Sequence, residues 1–174
     1  MKNYHIKTNG WNDIAQNFTI FPDGKIVLGR PLDKTPAGIY GANTNGICIE
    51  CVGNFDAGGD VMTSSQQSAI TGVLSLLLKK FGLDAQSGIT YHAWWSSSGK
   101  NLGDYVAGKS VKSCPGTAFF GGNTREAFEK NLLPLLSEGG LKEVTEANDI
   151  VWELSNAKII TDGKLWLKKC ESPK

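Results

Sequence analysis

Apolar positions along the chain fall into short periods separated by turn chemistry. Ala15 to Ile20 and Lys25 to Leu28 flank the segment Phe21-Pro22-Asp23-Gly24. Proline presets φ and glycine accepts a positive φ, so the Pro-Asp-Gly triplet predicts a β-hairpin. Gly46 to Val52 predicts another strand, whose alternation puts Ile47, Ile49 and Cys51 on one face and Cys48 and Glu50 on the other. Ile89 to His92 predicts a short buried strand.

A helical period begins at Thr63 and runs to about Phe81. Ile70, Val73, Leu74, Leu77, Leu78 and Phe81 form its apolar stripe, Thr63 or Ser64 can cap its start, and Gly82 closes it. A further helix is predicted over roughly Asn123 to Leu136, with Phe128, Leu132, Leu135 and Leu136 turned inward. Strands and helices interleaved in this way predict an α/β domain, a mixed central β-sheet flanked by helices. Ser137-Glu138-Gly139-Gly140 reads as a linker, so the domain is expected over residues 1–138. Residues 141–174 are expected to form a short helical C-terminal appendage, with a small amphipathic helix over Glu143 to Ala157 and a last turn over Lys164 to Lys169.

The 174 residues suffice for one domain with a real core, and a net charge of +1 leaves no field to draw the chain onto nucleic acid or an anionic membrane. The longest apolar stretch, Val73 to Leu78, is too short to span a bilayer, so no membrane insertion is expected. Met1 to His5 shows no apolar signal-peptide core. Composition sets no oligomeric state.

The strongest local signal for chemistry is Lys112-Ser113-Cys114-Pro115-Gly116. A cysteine just before Pro-Gly sits where the chain must turn, which fixes its sulfur and can present it to a cleft. With His92 it offers an imidazole and a thiolate, two good zinc donors. Taken singly, each reads more simply as a packing residue; their company decides. Cys48 and Cys51 share the C-x-x-C spacing of redox and zinc sites. Residues three apart on a strand face opposite ways, and no helix start lies beside them to lower a thiol pKa. They read as packing cysteines. Trp94, Trp95 and Tyr105 cluster between His92 and Cys114, where they either line a groove or fill a core.

Several motifs in order carry a resemblance. Gly10-Trp11-Asn12-Asp13-Ile14-Ala15-Gln16-Asn17-Phe18 resembles the GW-x-DI motif of the zinc amidase and peptidoglycan recognition protein superfamily. Ile20 to Arg30 is similar to that family's I-x-x-DG-x-I-x-x-GR hairpin, Asn45 to Glu50 to its following strand, and Gly53-Asn54-Phe55 to the segment after it. His92 matches the later metal histidine, and Cys114-Pro115-Gly116 the ligand turn. The likeness runs from about residue 5 to residue 122.

The resemblance implies hydrolysis of the amide between N-acetylmuramic acid and L-alanine in peptidoglycan, by water on a Zn²⁺ held by two histidines and a cysteine. His92 and Cys114 match two of these ligands. Glu50 matches a candidate general base, and Lys112 a lysine that would stabilise the oxyanion. His5 resembles a histidine beside the substrate groove, and Gln16 stands where many catalytic members have tyrosine, so both join Trp94 and Trp95 as expected substrate contacts. Ser96 to Lys100 reads as a loop insertion on the groove rim.

The first metal histidine of relatives lies upstream of the GW-x-DI motif, on a strand this sequence does not show. The chain holds two histidines in all, so the zinc triad is incomplete unless His5 is recruited or another residue substitutes, and activity alone is expected to be weak or absent. Two expectations follow: a shortened amidase, or a non-catalytic binder of muropeptides. Retention of Glu50, His92, Lys112 and Cys114 favours the amidase. A lytic family without a visible signal peptide suggests an endolysin of phage or prophage origin, and loss of the signal with the upstream segment is the rival account.

Overall fold

The computed structural model describes residues 1–136. The tail beyond, with the linker, the two short elements expected there and Cys170, lies outside the described residues. Three strands make one mixed sheet in the order β2-β1-β3: β1 (Phe18–Ile20), β2 (Ile26–Leu28) and β3 (Ile49–Cys51). β1 and β2 are the predicted hairpin, antiparallel with Phe18 opposite Leu28 and Ile20 opposite Ile26. β3 runs parallel to β1 on its other side, with Thr19 opposite Glu50. Helices accompany this sheet, so the architecture is α/β, as the alternation of elements predicts.

Side-chain alternation sorts the two faces. Phe18, Ile20 and Ile26 are buried, and Ile49 and Cys51 pack against them. The helix α2 (Ser64–Phe81) covers this face with Ile70, Val73 and Leu77. Thr63 caps it by accepting the Gln66 N–H at 3.1 Å, and its hydroxyl also donates to the Pro22 carbonyl at the hairpin tip. Gly82 ends the helix in the left-handed conformation. The buried Gln66 amide donates to the carbonyls of Ile20 at 3.2 Å and Val52 at 2.9 Å, so one side chain closes the ends of β1 and β3 together.

Asn17 does the same at the other end. Its buried side chain donates to the carbonyls of Arg30 and Pro31 and accepts the Cys48 N–H at 2.9 Å. The short helix α1 (Lys2–Lys7) packs before β1, held by the Lys2–Asp13 ion pair at 2.8 Å. α3 (Ala85–Gly88) begins at Asp84, which accepts the Ser87 N–H.

Two predicted elements differ. Residues 89–91 form no strand, and His92–Trp94 is a 3-10 turn. The Ala93 N–H bonds to the Cys114 carbonyl, while those of Trp94 and Trp95 bond back to Tyr91 and His92, so no sheet ladder forms here. The last helix forms with a changed winding. After α4 (Arg125–Ala127), capped by Thr124, residues Phe128–Leu132 wind as a π-helix. The wider turn favours a four-residue repeat: Phe128, Leu132 and Leu136 are buried, while Leu135 is exposed rather than turned inward. No helix among the described residues is long and apolar enough to cross a membrane.

Candidate active site

The sheet face opposite α2 carries the polar row. Thr19 is buried and its cross-strand neighbour Glu50 is open to solvent. Beside them, Gln16 donates its amide to the Thr19 hydroxyl at 2.9 Å. Partial burial is the main cause that raises the Glu50 carboxyl above its ordinary range, opposed by the charges of Lys112 and His5. A carboxylate destabilised in this way is better able to take a proton from water.

His92 and Cys114 sit on two segments laced together by backbone. Ala93 N–H donates to the Cys114 carbonyl at 2.7 Å. One residue further, Trp94 donates its indole N–H to the Asn123 carbonyl, and the Asn123 amide donates to the Ser113 carbonyl, both at 2.7 Å. These ties flank the histidine on one side and the cysteine on the other. Burial lowers the His92 pKa, and Lys112 pushes it the same way. Burial raises the Cys114 thiol; Lys112 opposes the rise, while Glu50 and Asp56 add to it. The charge of Lys112 pushes Glu50, His92 and Cys114 downward alike, in each case beside the larger effect of burial.

The Cys114-Pro115-Gly116 turn lies hard against the loop after β3. Gly116 has φ of +128°, and a β-carbon there would run into the Phe55 carbonyl. Only glycine permits this approach. Gly41 and Gly99 meet backbone to backbone, and a β-carbon on Gly99 would lie 2.8 Å from the Tyr40 ring. The Ser96–Lys100 segment folds on itself, Ser96 N–H to Lys100 carbonyl at 2.9 Å, and rests on the 38–45 loop through this contact.

The expected substrate contacts divide. His5 accepts the Ala15 N–H at Nδ1 (3.1 Å) and packs on Trp11 with ring centroids 5.0 Å apart. It lies near enough to Glu50 for its charge to act on that carboxyl. Trp95 is half-buried and donates its indole N–H to Thr90. Trp94 is 0% exposed, stacked with Tyr91 at 4.5 Å and covered by the Arg125 guanidinium at 4.0 Å, so it is a core residue with no face for a ligand. Gln16, at 1% exposed, is likewise no surface contact, because its amide is engaged by Thr19 and lies against the Met1 sulfur.

Cys48 and Cys51 are free thiols, pushed by burial to about 11 and about 12, which keeps both protonated and suits packing. Asp56, which no motif singled out, accepts bonds from Ser113 and Thr117 on either side of Cys114.

A carboxylate (Glu50), a lysine (Lys112), an imidazole (His92) and a thiol (Cys114) are the side-chain types that hydrolytic chemistry uses, and the last two stand on segments bonded to each other through backbone. Residues 2–117 match the family model described as N-acetylmuramoyl-L-alanine amidase, and the chain belongs to that family. Among curated relatives, the peptidoglycan-recognition protein SC2 of Drosophila melanogaster is 36% identical over 72 residues, 41% of this chain and 38% of that protein. The endolysin of Enterobacteria phage K11 is 35% identical over 71 residues, 39% of this chain and 47% of its own length. The human N-acetylmuramoyl-L-alanine amidase is 37% identical over 57 residues, 33% of this chain and 10% of its own. Each match spans less than half of the relative.

The family is generally zinc-dependent. Among the described residues no group of three or more His, Cys, Asp or Glu side chains could hold a metal ion. A catalytic zinc takes three protein ligands and a water, so the two donors His92 and Cys114 do not by themselves fit it.

Proposed function

We propose that this chain is a peptidoglycan hydrolase domain that cleaves the amide between N-acetylmuramic acid and L-alanine. The observation that carries the reading is the match of residues 2–117 to the amidase family, and the backbone bond from Ala93 to the Cys114 carbonyl, which sets the His92 and Cys114 segments side by side, supports it. In this reading Glu50 takes the proton of the attacking water and returns it to the departing amine. Lys112 stabilises the oxyanion formed at the carbonyl. His5 and Trp95 are the candidate contacts for the muropeptide. His92 and Cys114 are the two donors offered to Zn²⁺, which needs a further ligand before it can be held with an open position. The chain is proposed to act at the cell wall, as an endolysin or a secreted wall enzyme.

A second reading, a module that holds muropeptides without cutting them, is favoured by the lack of a metal-holding group of three His, Cys, Asp or Glu side chains among the described residues. Purified chain incubated with purified cell wall across a zinc titration separates the two. The hydrolase reading expects new free amines from L-alanine and, for Glu50→Gln, a rate lower by about 100-fold or more with wall pull-down retained. Pull-down with no amine release at any zinc level establishes the binding module instead. No pull-down and no release would sink both.

A further inference from the structure

We propose that Asp56 is a positioning residue for this cleft: its carboxylate holds the turn that carries Lys112 and Cys114 against the loop that follows β3. The consequence for catalysis rests on the hydrolase reading above; the geometry does not. Asp56 Oδ2 accepts the Ser113 hydroxyl at 3.0 Å, and Oδ1 accepts the Thr117 N–H at 3.0 Å. The two bonds bracket Cys114, one residue before it and three after.

Other contacts run between the same two segments. The Ala57 N–H donates to the Thr117 hydroxyl at 2.8 Å, and the Ala118 N–H to the Phe55 carbonyl at 2.8 Å. Gly116 is pressed on the Phe55 carbonyl with no room for a side chain.

Asp56 is itself fixed from behind. Its N–H donates to Asn54 Oδ1 at 3.2 Å, its carbonyl accepts the Gly59 N–H at 2.8 Å, and Asp60 closes the loop by accepting the Asn54 N–H at 2.7 Å. Bonds to an ionised carboxylate are roughly twice as strong as neutral ones. An acid that served only its own loop would spend its oxygens there; both of these reach across to the reactive turn. Through that turn Asp56 sets where the Cys114 sulfur and the Lys112 ammonium stand relative to Glu50.

The test uses the full chain with Asp56→Asn, Asp56→Ala and Ser113→Ala. Asn can accept from the Thr117 N–H and donate to the Ser113 oxygen, and Asn and Ala carry the same charge, so their difference isolates the hydrogen bonds. Alkylation of Cys114 by iodoacetamide at one pH, resolved by peptide mapping from the other cysteines, reads the turn directly. Asp56→Ala is expected to alkylate at Cys114 at least about threefold faster than Asp56→Asn, as local opening frees the turn, with Cys48 unchanged. Ser113→Ala is expected to move in the same direction, and it decides the matter if Asp56→Ala does not fold.

On cell wall, Asp56→Ala is expected to lose about 100-fold in kcat with KM nearly unchanged, and Asp56→Asn to recover most of it. Equal Cys114 rates in the two Asp56 variants, an unmoved rate in Ser113→Ala, or a loss confined to KM overturns the proposal. Should the wild-type chain cut no wall at all, the hydrolase reading fails, while the alkylation comparison still decides the positioning role.

Discussion

The backbone N–H of Ala93 donates to the carbonyl of Cys114 at 2.7 Å, so the residue after the candidate histidine is bonded to the candidate cysteine itself. Because the tie is made by main chain, substitution of either side chain leaves the two segments in register. Variants of His92 and Cys114 can therefore test chemistry without first dismantling the cleft.

Trp94→Ala is expected to cost about 3–5 kcal/mol of stability, the range for deleting a fully buried aromatic. The loss combines the cavity with the indole bond to the Asn123 carbonyl. Urea unfolding measures it. Trp94→Phe should be milder and should keep wall pull-down; selective loss of pull-down at full stability would restore Trp94 to the groove.

Asn17→Ala should destabilise by about 2–3 kcal/mol, because the part-buried Cys48 N–H loses its side-chain partner and the Arg30 carbonyl loses the Asn17 amide, while the Pro31 carbonyl keeps only the Lys34 N–H. Asn17→Asp should fare no better, since a carboxylate has no N–H for those carbonyls. The shift of the urea midpoint at constant m-value is the readout.

Gly116→Ala should be poorly tolerated, with a loss of about 1–3 kcal/mol from the left-handed backbone and the clash at Phe55. Gly58→Ala provides the comparison: it also has positive φ, +84°, but meets nothing within 4 Å. If the two variants melt alike, the close packing of the turn is not what matters.

The His92 pKa is lowered by folding, so the unfolded chain binds its proton first. Its contribution to stability is fully present above its ordinary value of 6.5 and is lost as pH falls through the folded pKa. Glu50, raised by folding, has the opposite sign: its contribution is complete below its ordinary value of 4.5 and is lost as pH rises through the folded pKa. Comparing urea midpoints of wild type and His92→Gln from pH 7 downward isolates the first effect. The wild type should lose stability relative to the variant as pH drops below 6.5; a gain would contradict the sign.

Legibility in the sequence followed the range of the forces involved. The cap at Thr63, the stop at Gly82 and the turn at Pro22-Asp23-Gly24 are local signals, and the one helix and one hairpin they bound formed as predicted. The period of two over residues 47–51 correctly separated Glu50 from Ile49 and Cys51. Residues 89–92 misled because an extended apolar segment becomes a strand only if a neighbour accepts its bonds, and the tie to the Cys114 segment comes one residue later, from Ala93, as the chain enters a 3-10 turn. Trp94 misled because nearness to His92 in sequence does not say which way a ring faces. Asp56 went unread because its two partners lie 57 and 61 residues along the chain. The likeness of ordered motifs placed Glu50, His92, Lys112 and Cys114 as candidates, and the backbone bond between the His92 and Cys114 segments is the structure's own contribution.

The contact of Gly41 with Gly99 has an engineering consequence. Two surface loops far apart in sequence share one seam with no side chain to spare, and the Tyr40 ring, 72% exposed, leans on it. Grafting a relative's segment onto either loop would leave the other without its support, so the pair must be exchanged as a unit, and natural drift in length on one side should be answered on the other.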